Sequence, residues 1–146
     1  MPTTKPDRQR LMPKGLAEAY FPKDFHQSFS IGWRVGNLVF SGGHVAVDPN
    51  GDVISPGDIE VQTRVVFENL TKTLHEAGAE WRHVVKLNTY YDCGEGSDHE
   101  LVEFWKKMTL VRMEFLPDPG PAGTALRVGM AREGLVIEID AIAVID

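Results

Sequence analysis

A chain of 146 residues, 42% hydrophobic and 25% charged, with formal net charge −6, has the size and balance of one domain around one core. The lone cysteine, Cys93, excludes an internal disulfide and leaves too few thiolates for a structural zinc site. Fifteen scattered Lys and Arg against 21 Asp and Glu argue against a nucleic-acid partner. No stretch approaches the roughly 20 apolar residues of a membrane span, and MPTTKPDRQRLMPKG lacks a signal-peptide apolar core, so a cytoplasmic protein with no membrane partner is expected.

Residues 1–25 contain Pro2, Pro6, Pro13 and Pro22, which resist helix and central strand alike. An N-terminal arm is expected there, its Leu16, Ala19, Tyr20 and Phe21 packing on the surface or on a neighbouring subunit, ahead of a single domain over 26–146. Phe29–Val47 reads as β. Asn37–Ser41 is a buried strand, Gly42-Gly43 breaks or bulges it, and His44–Val47 resumes it. Asp48-Pro49-Asn50-Gly51-Asp52 is turn chemistry, with Val53-Ile54 a short returning strand.

Asp58 is a candidate N-cap for a helix running to about Ala77. Ile59, Val66, Leu70, Leu74 and Ala77 form its apolar stripe, and Gly78 stands where a left-handed C-cap belongs. His83–Tyr91 has strand character and Asp92–Ser97 is a loop. Ser97-Asp98-His99-Glu100 is a capping box opening a second helix, with Leu101, Trp105, Met108, Val111 and Phe115 at helical spacing. Pro117–Pro121 ends it. Thr124–Met130 and Leu135–Val144 read as strands around an Arg132-Glu133-Gly134 turn.

The order β-β-(β)-α-β-α-β-β makes the fold α+β, with two helices covering one face of one mixed sheet. In the last strand Ile137, Ile139, Ala141 and Ala143 point one way, and Val136, Glu138, Asp140, Ile142 and Val144 the other. Both faces are largely apolar. Two helices cover only one, so the second is expected to be covered by oligomerisation.

Common catalytic signatures are absent: no GxGxxG, P-loop, GxSxG or HExxH occurs. His26, His44, His75, His83 and His99 have no metal-ligand spacing, and each reads as a surface or edge residue. His44 is the exception, because it follows two glycines at a strand end where backbone approach to a ligand is feasible. Cys93 has no basic neighbour in sequence to activate it. Glu138 and Asp140 share a face of an apolar strand. A buried carboxylate must be paired or hydrogen-bonded, and it can hold a raised pKa and act as a general acid or base. The alternative is a plain ion pair, with Arg127 and Lys86 as candidate partners.

Phe40-Ser41-Gly42-Gly43 with Asp48-Pro49-Asn50-Gly51, Asp58–Arg64 with Glu68-Asn69-Leu70, Ala77-Gly78-Ala79 with Val84-Val85-Lys86, and Ile137–Val144 together resemble the RidA/YjgF family, in order across about 29–144. The resemblance implies a chorismate-mutase-like fold, a homotrimer whose sheets form a central barrel, and three inter-subunit pockets for a small-molecule metabolite. It also implies hydrolysis of enamines and imines without metal or organic cofactor.

In the family an arginine of a Pro-Ala-Arg-Ser/Thr motif holds the substrate carboxylate. Here the stretch is Pro121-Ala122-Gly123-Thr124, so Gly123 stands at the arginine position. Arg127, on the same strand face, lies about 13 Å along at the usual strand rise. Glu138 matches the family glutamate that helps place water. Gly43 replaces the Gln of Ser-Gly-Gln, and His26–Gly32 stands where the family has Gly-Pro-Tyr. The pocket implied is lined by Ser41, Gly42, Tyr90, Gly123 and Thr124, with Glu138 as its catalytic group and a substrate other than a simple 2-imino acid. The other readings are a non-catalytic metabolite-binding trimer and the endoribonuclease or translation-inhibitor activity attributed to some family members.

Overall fold

The computed structural model describes residues 7–16 and 28–146. Strands β1 (Arg8–Leu11), β2 (Gly32–Val35), β3 (Leu38–Ser41) and β4 (His44–Val45) precede helix α1 (Ile59–Glu76). Then come β5 (Val84–Tyr91), α2 (Asp98–Phe115), β6 (Ala122–Arg127) and β7 (Ile137–Val144).

Both helices begin where short-range chemistry dictates. The Asp58 carboxylate accepts the Val61 amide at 3.0 Å, and Gly78, at φ +78°, lets the chain leave α1 in the left-handed conformation. Arg34 reaches from β2 to donate to the Ala77 carbonyl at 2.8 Å, satisfying an orphan acceptor of that helix end. At α2 the capping box closes in both directions: the Glu100 amide donates to Ser97 Oγ, and the Ser97 amide donates to Glu100 Oε2 at 2.7 Å.

The sheet order is β1-β2-β3-β7-β5-β6, with β4 also paired to β7. Only β5 and β6 run parallel, as they must, because α2 carries the chain from one back to the start of the other. Ile137, Ile139, Ala141 and Ala143 are buried under the helices. They join Val66, Phe67, Leu70 and Leu74 of α1, Leu87 of β5 and Met108 of α2 in one core. Phe67 stacks between Trp81 and Phe115, ring centroids 5.0 and 5.1 Å away. Gln62 of α1 is a polar hub in this layer. Its amide nitrogen donates to the carbonyls of Ile54, Ser55 and Gly134, and its oxygen accepts the Val136 amide.

The two helices lie on one face, as the alternation of β7 predicts. The opposite face carries Trp33, Leu38, Phe40 and Leu126, each between 37% and 50% exposed.

Three element readings change. Arg8–Leu11, inside the proline-rich stretch, is a strand antiparallel to β2, with Leu11 and Leu16 buried. Its pairing is long-range, and Arg10 secures it by donating to Ser30 Oγ and the Phe29 carbonyl. Ala19, Tyr20, Phe21 and His26 lie outside the described residues. Val53-Ile54 reduces to one bridge, Val53 to Val47. The strand read from Thr124 to Met130 runs instead from Ala122 to Arg127, in register with Lys86–Tyr91.

Candidate functional site

The break at Gly42-Gly43 builds the centre of the site. β3 pairs with β7 as far as Phe40 opposite Ile142, and β4 resumes with His44 opposite Ile139. Between them the Ala141 amide would lose its ladder partner. Ser41 Oγ accepts it at 2.8 Å, so a hydroxyl replaces a backbone carbonyl where the strand bulges. Gly42 donates its amide to the Ile31 carbonyl at 2.7 Å, an approach that leaves little room for a side chain. A Cβ there would meet that oxygen at 3.2 Å.

His44 turns inward, away from the site face. Its Nδ1 faces the Gly42 carbonyl at 2.9 Å, and its Nε2 faces Thr73 Oγ1 of α1 at 2.8 Å. A carbonyl only accepts, so Nδ1 carries the proton of the neutral ring and Nε2 accepts the threonine hydroxyl. Burial depresses the pKa of His44, against the opposing pull of the Gly42 carbonyl and Asp140. The glycines thus bring the histidine to a structural post rather than to a ligand.

On the outer face the register aligns Glu138 of β7 with Tyr90 of β5 and Val45 of β4, and Asp140 with Asn88. Asn88 Nδ2 donates to Asp140 at 2.8 Å. The charge of Asp140 raises the pKa of the Tyr90 hydroxyl. Desolvation, and then the nearby charge of Asp140, push the Glu138 carboxyl above its usual range. Neither candidate cation is paired with these acids. Lys86 donates to Thr124 Oγ1 at 2.6 Å, and Arg127 stands beside Tyr91, on the helix side. Among the described residues Glu138 has no hydrogen-bond or ion-pair partner.

Of the expected site residues, the structure gathers Ser41, Gly42, Tyr90 and Glu138 around the β3–β4 break. Thr124 of β6 lies on the same outer face, opposite Asn88, which is two positions along β5 from Tyr90. Gly123 is opposite Leu87, a helix-side residue, so it faces away from Glu138 within one chain. No side chain stands within 4 Å of where its Cβ would be. Asn88 was missed, although the alternation of β5 puts it on the face of Tyr90. A cleft of about 710 Å³ opens elsewhere, between the starts of α1 and α2, lined by residues including Glu60, His99, Glu103 and Lys107. None of the expected site residues lines it. Among the described residues no group of His, Cys, Asp and Glu is arranged to hold a metal, and no helix is long and apolar enough to cross a membrane.

One mixed sheet with two helices on a single face places this chain among the α+β folds. The sequence profile of the Endoribonuclease L-PSP family matches residues 23–145, and the chain belongs to that family, also called RidA/YjgF. A RutC family protein of Pyrococcus abyssi is 36% identical over 110 residues, spanning 75% of this chain and 80% of that one. The 3-aminoacrylate deaminase RutC of Acinetobacter baylyi is 26% identical over 113 residues, spanning 75% and 81%. The crystal structure of RidA from the Antarctic bacterium Psychrobacter sp. superposes with TM-score 0.75 at 25% identity, covering 94% of this chain and 99% of that one.

Proposed function

We propose that this protein is a cytoplasmic homotrimer that hydrolyses the C=N bond of a small enamine-derived imine, with Glu138 as its acid–base group. The observation that carries the reading is Glu138 itself: a desolvated carboxyl without a partner among the described residues, beside Tyr90, on a face that also exposes Trp33, Leu38, Phe40 and Leu126. Such a group takes a proton from water as the water oxygen adds to the imine carbon. It gives that proton to nitrogen to form a carbinolamine, then carries the remaining hydroxyl proton to the same nitrogen, so that the C–N bond breaks, ammonia leaves and a carbonyl remains. No redox step arises, and the proton cycle closes on one side chain. The deaminase named among the relatives supports this class of reaction.

Gly123 and Glu138 face opposite ways in one chain, so the pocket expected from Ser41, Gly42, Tyr90, Gly123, Thr124 and Glu138 is completed by a second subunit. The exposed Trp33, Leu38 and Phe40 support such an assembly. With glycine at the arginine position, the favoured substrate is one that does not depend on a carboxylate clamp there. The same glycine supports the second reading, a trimer that binds a metabolite without turning it over. The charge of −6 weighs against RNA cleavage.

The test is ammonia release from enamines and imines generated in situ by a pyridoxal-phosphate enzyme, with wild type, Glu138→Gln and Gly123→Arg in parallel. Wild type is expected to accelerate release from substrates lacking a carboxylate. Glu138→Gln should lose about 10²–10⁴-fold, the usual contribution of a general acid–base group. Gly123→Arg should gain activity on 2-imino acids. An inert wild type that nonetheless binds these compounds would overturn catalysis and leave the binding reading.

A further inference from the structure

We propose that Gly43 is the positioning residue for Glu138, its missing side chain forming the slot in which the carboxyl lies. A Cβ built on Gly43 would stand 2.8 Å from Glu138 Cδ and 3.0 Å from Cγ, and closer still to Oε1. Carbon atoms in contact sit near 3.5–4.0 Å, so side chain and Cβ cannot share this space. The glutamate lies across the backbone of the strap formed by residues 41–44, between β3 and β4, and takes the volume a side chain would fill.

The strap is held rigidly on its other sides. Ser41 Oγ binds the Ala141 amide, the Gly42 amide binds the Ile31 carbonyl, and the Gly42 carbonyl binds His44. His44 is in turn anchored to Thr73 of α1. The register explains why the slot faces the glutamate. Val45 is opposite Glu138, and Gly43 lies two residues back on the same face, diagonal to it. Unlike Gly51 or Gly78, Gly43 does not have a positive φ. Its backbone is outside the left-handed region that favours glycine, and the three nearest atoms a Cβ would meet all belong to the Glu138 side chain. Among the described residues the charged and titratable groups on this face of the sheet are Asp140 of β7, Tyr90 and Lys86 of β5 and, farther across, Arg8 and Arg10 of β1, while β4 contributes His44 on the opposite side.

The inference rests on the reading of Glu138 as the acid–base group, and the experiment separates the two. The Glu138 carboxyl is titrated by carbon-13 NMR in the unliganded full-length protein, wild type against Gly43→Ala, with melting temperatures for both and for Glu138→Ala and the double variant. Gly43→Ala is expected to fold, because the atoms it meets are the end of a flexible side chain. Its Glu138 should titrate lower, having been pushed toward solvent. Any fall in melting temperature should vanish in the Glu138→Ala background, where the slot is empty. Turnover should drop about 10²-fold, the cost of an ångström-scale misplacement of a reacting group.

An unchanged titration in folded Gly43→Ala overturns the proposal. If Gly43→Ala does not fold, the double variant decides: rescue by Glu138→Ala supports the slot, and failure to rescue overturns it. A shifted titration in a protein that turns over nothing leaves Gly43 in its role and removes the catalytic reading instead.

Discussion

The two faces of β7 are made by the same eight residues, Ile137–Val144, and have opposite characters. Ile137, Ile139, Ala141 and Ala143 are buried against the helices. Glu138, Asp140, Ile142 and Val144 are only half covered, and they mix two carboxyls with aliphatic neighbours. One chain completes the first face, where every side chain has a packed partner. The second face has the chemistry but lacks its cover. The packed core lies on the helix side and the proposed site on the outer side, and substitutions should separate them.

The largest effect is expected on the helix side. Phe67→Ala removes a ring that contacts both Trp81 and Phe115, leaving a cavity at the junction of α1, α2 and the 81–83 turn. Loss of about 3–5 kcal/mol is expected, read by urea denaturation. A loss below about 1 kcal/mol would mean that this layer is far more plastic than its packing indicates.

A smaller effect on the fold, and a larger one on assembly, is expected outside. Phe40 is 40% exposed and Leu38 37% exposed, so Leu38→Ser with Phe40→Ser gives up little burial within one chain. The predicted result is a stability change of about 1 kcal/mol or less per site for the isolated subunit, with loss of the proposed trimer in sedimentation velocity. Unchanged sedimentation would place the subunit contacts elsewhere and remove the cover assigned to this face.

The same contrast governs what could be read from the sequence. Asp58, Gly78 and the Ser97–Glu100 box specify helix ends through bonds spanning three or four residues, and the alternation of β7 needs only a period of two. β1 escaped notice because RQRL has no alternation and acquires its order from Arg34, Trp33 and Ser30 far along the chain. Glu138 could be proposed because strand parity puts it on a defined face, whereas Tyr90 entered only through the family resemblance. The contact between Gly43 and Glu138 could not, since it depends on β4 pairing with β7 after the whole α/β unit has intervened. Nor could the inward turn of His44, which follows from the phase of the bulge and the position of Thr73.

The smallest effect is the most diagnostic, because it tests Glu138 through the fold alone. A carboxyl whose folded pKa is raised binds its proton more tightly folded than unfolded, so it adds stability below the ordinary carboxylate range. That contribution is lost as pH rises through the raised folded value. Glu138→Gln keeps the size and removes the titration. At acid pH the variant and wild type should therefore be about equally stable. As pH rises toward neutrality the variant should become the more stable of the two, by a margin reduced by the partial exposure of this side chain. Melting temperatures across the range check the sign. If Glu138→Gln instead loses stability relative to wild type as pH rises, the carboxylate must be paired in solution, and the group would be an ion-pair partner rather than a proton carrier.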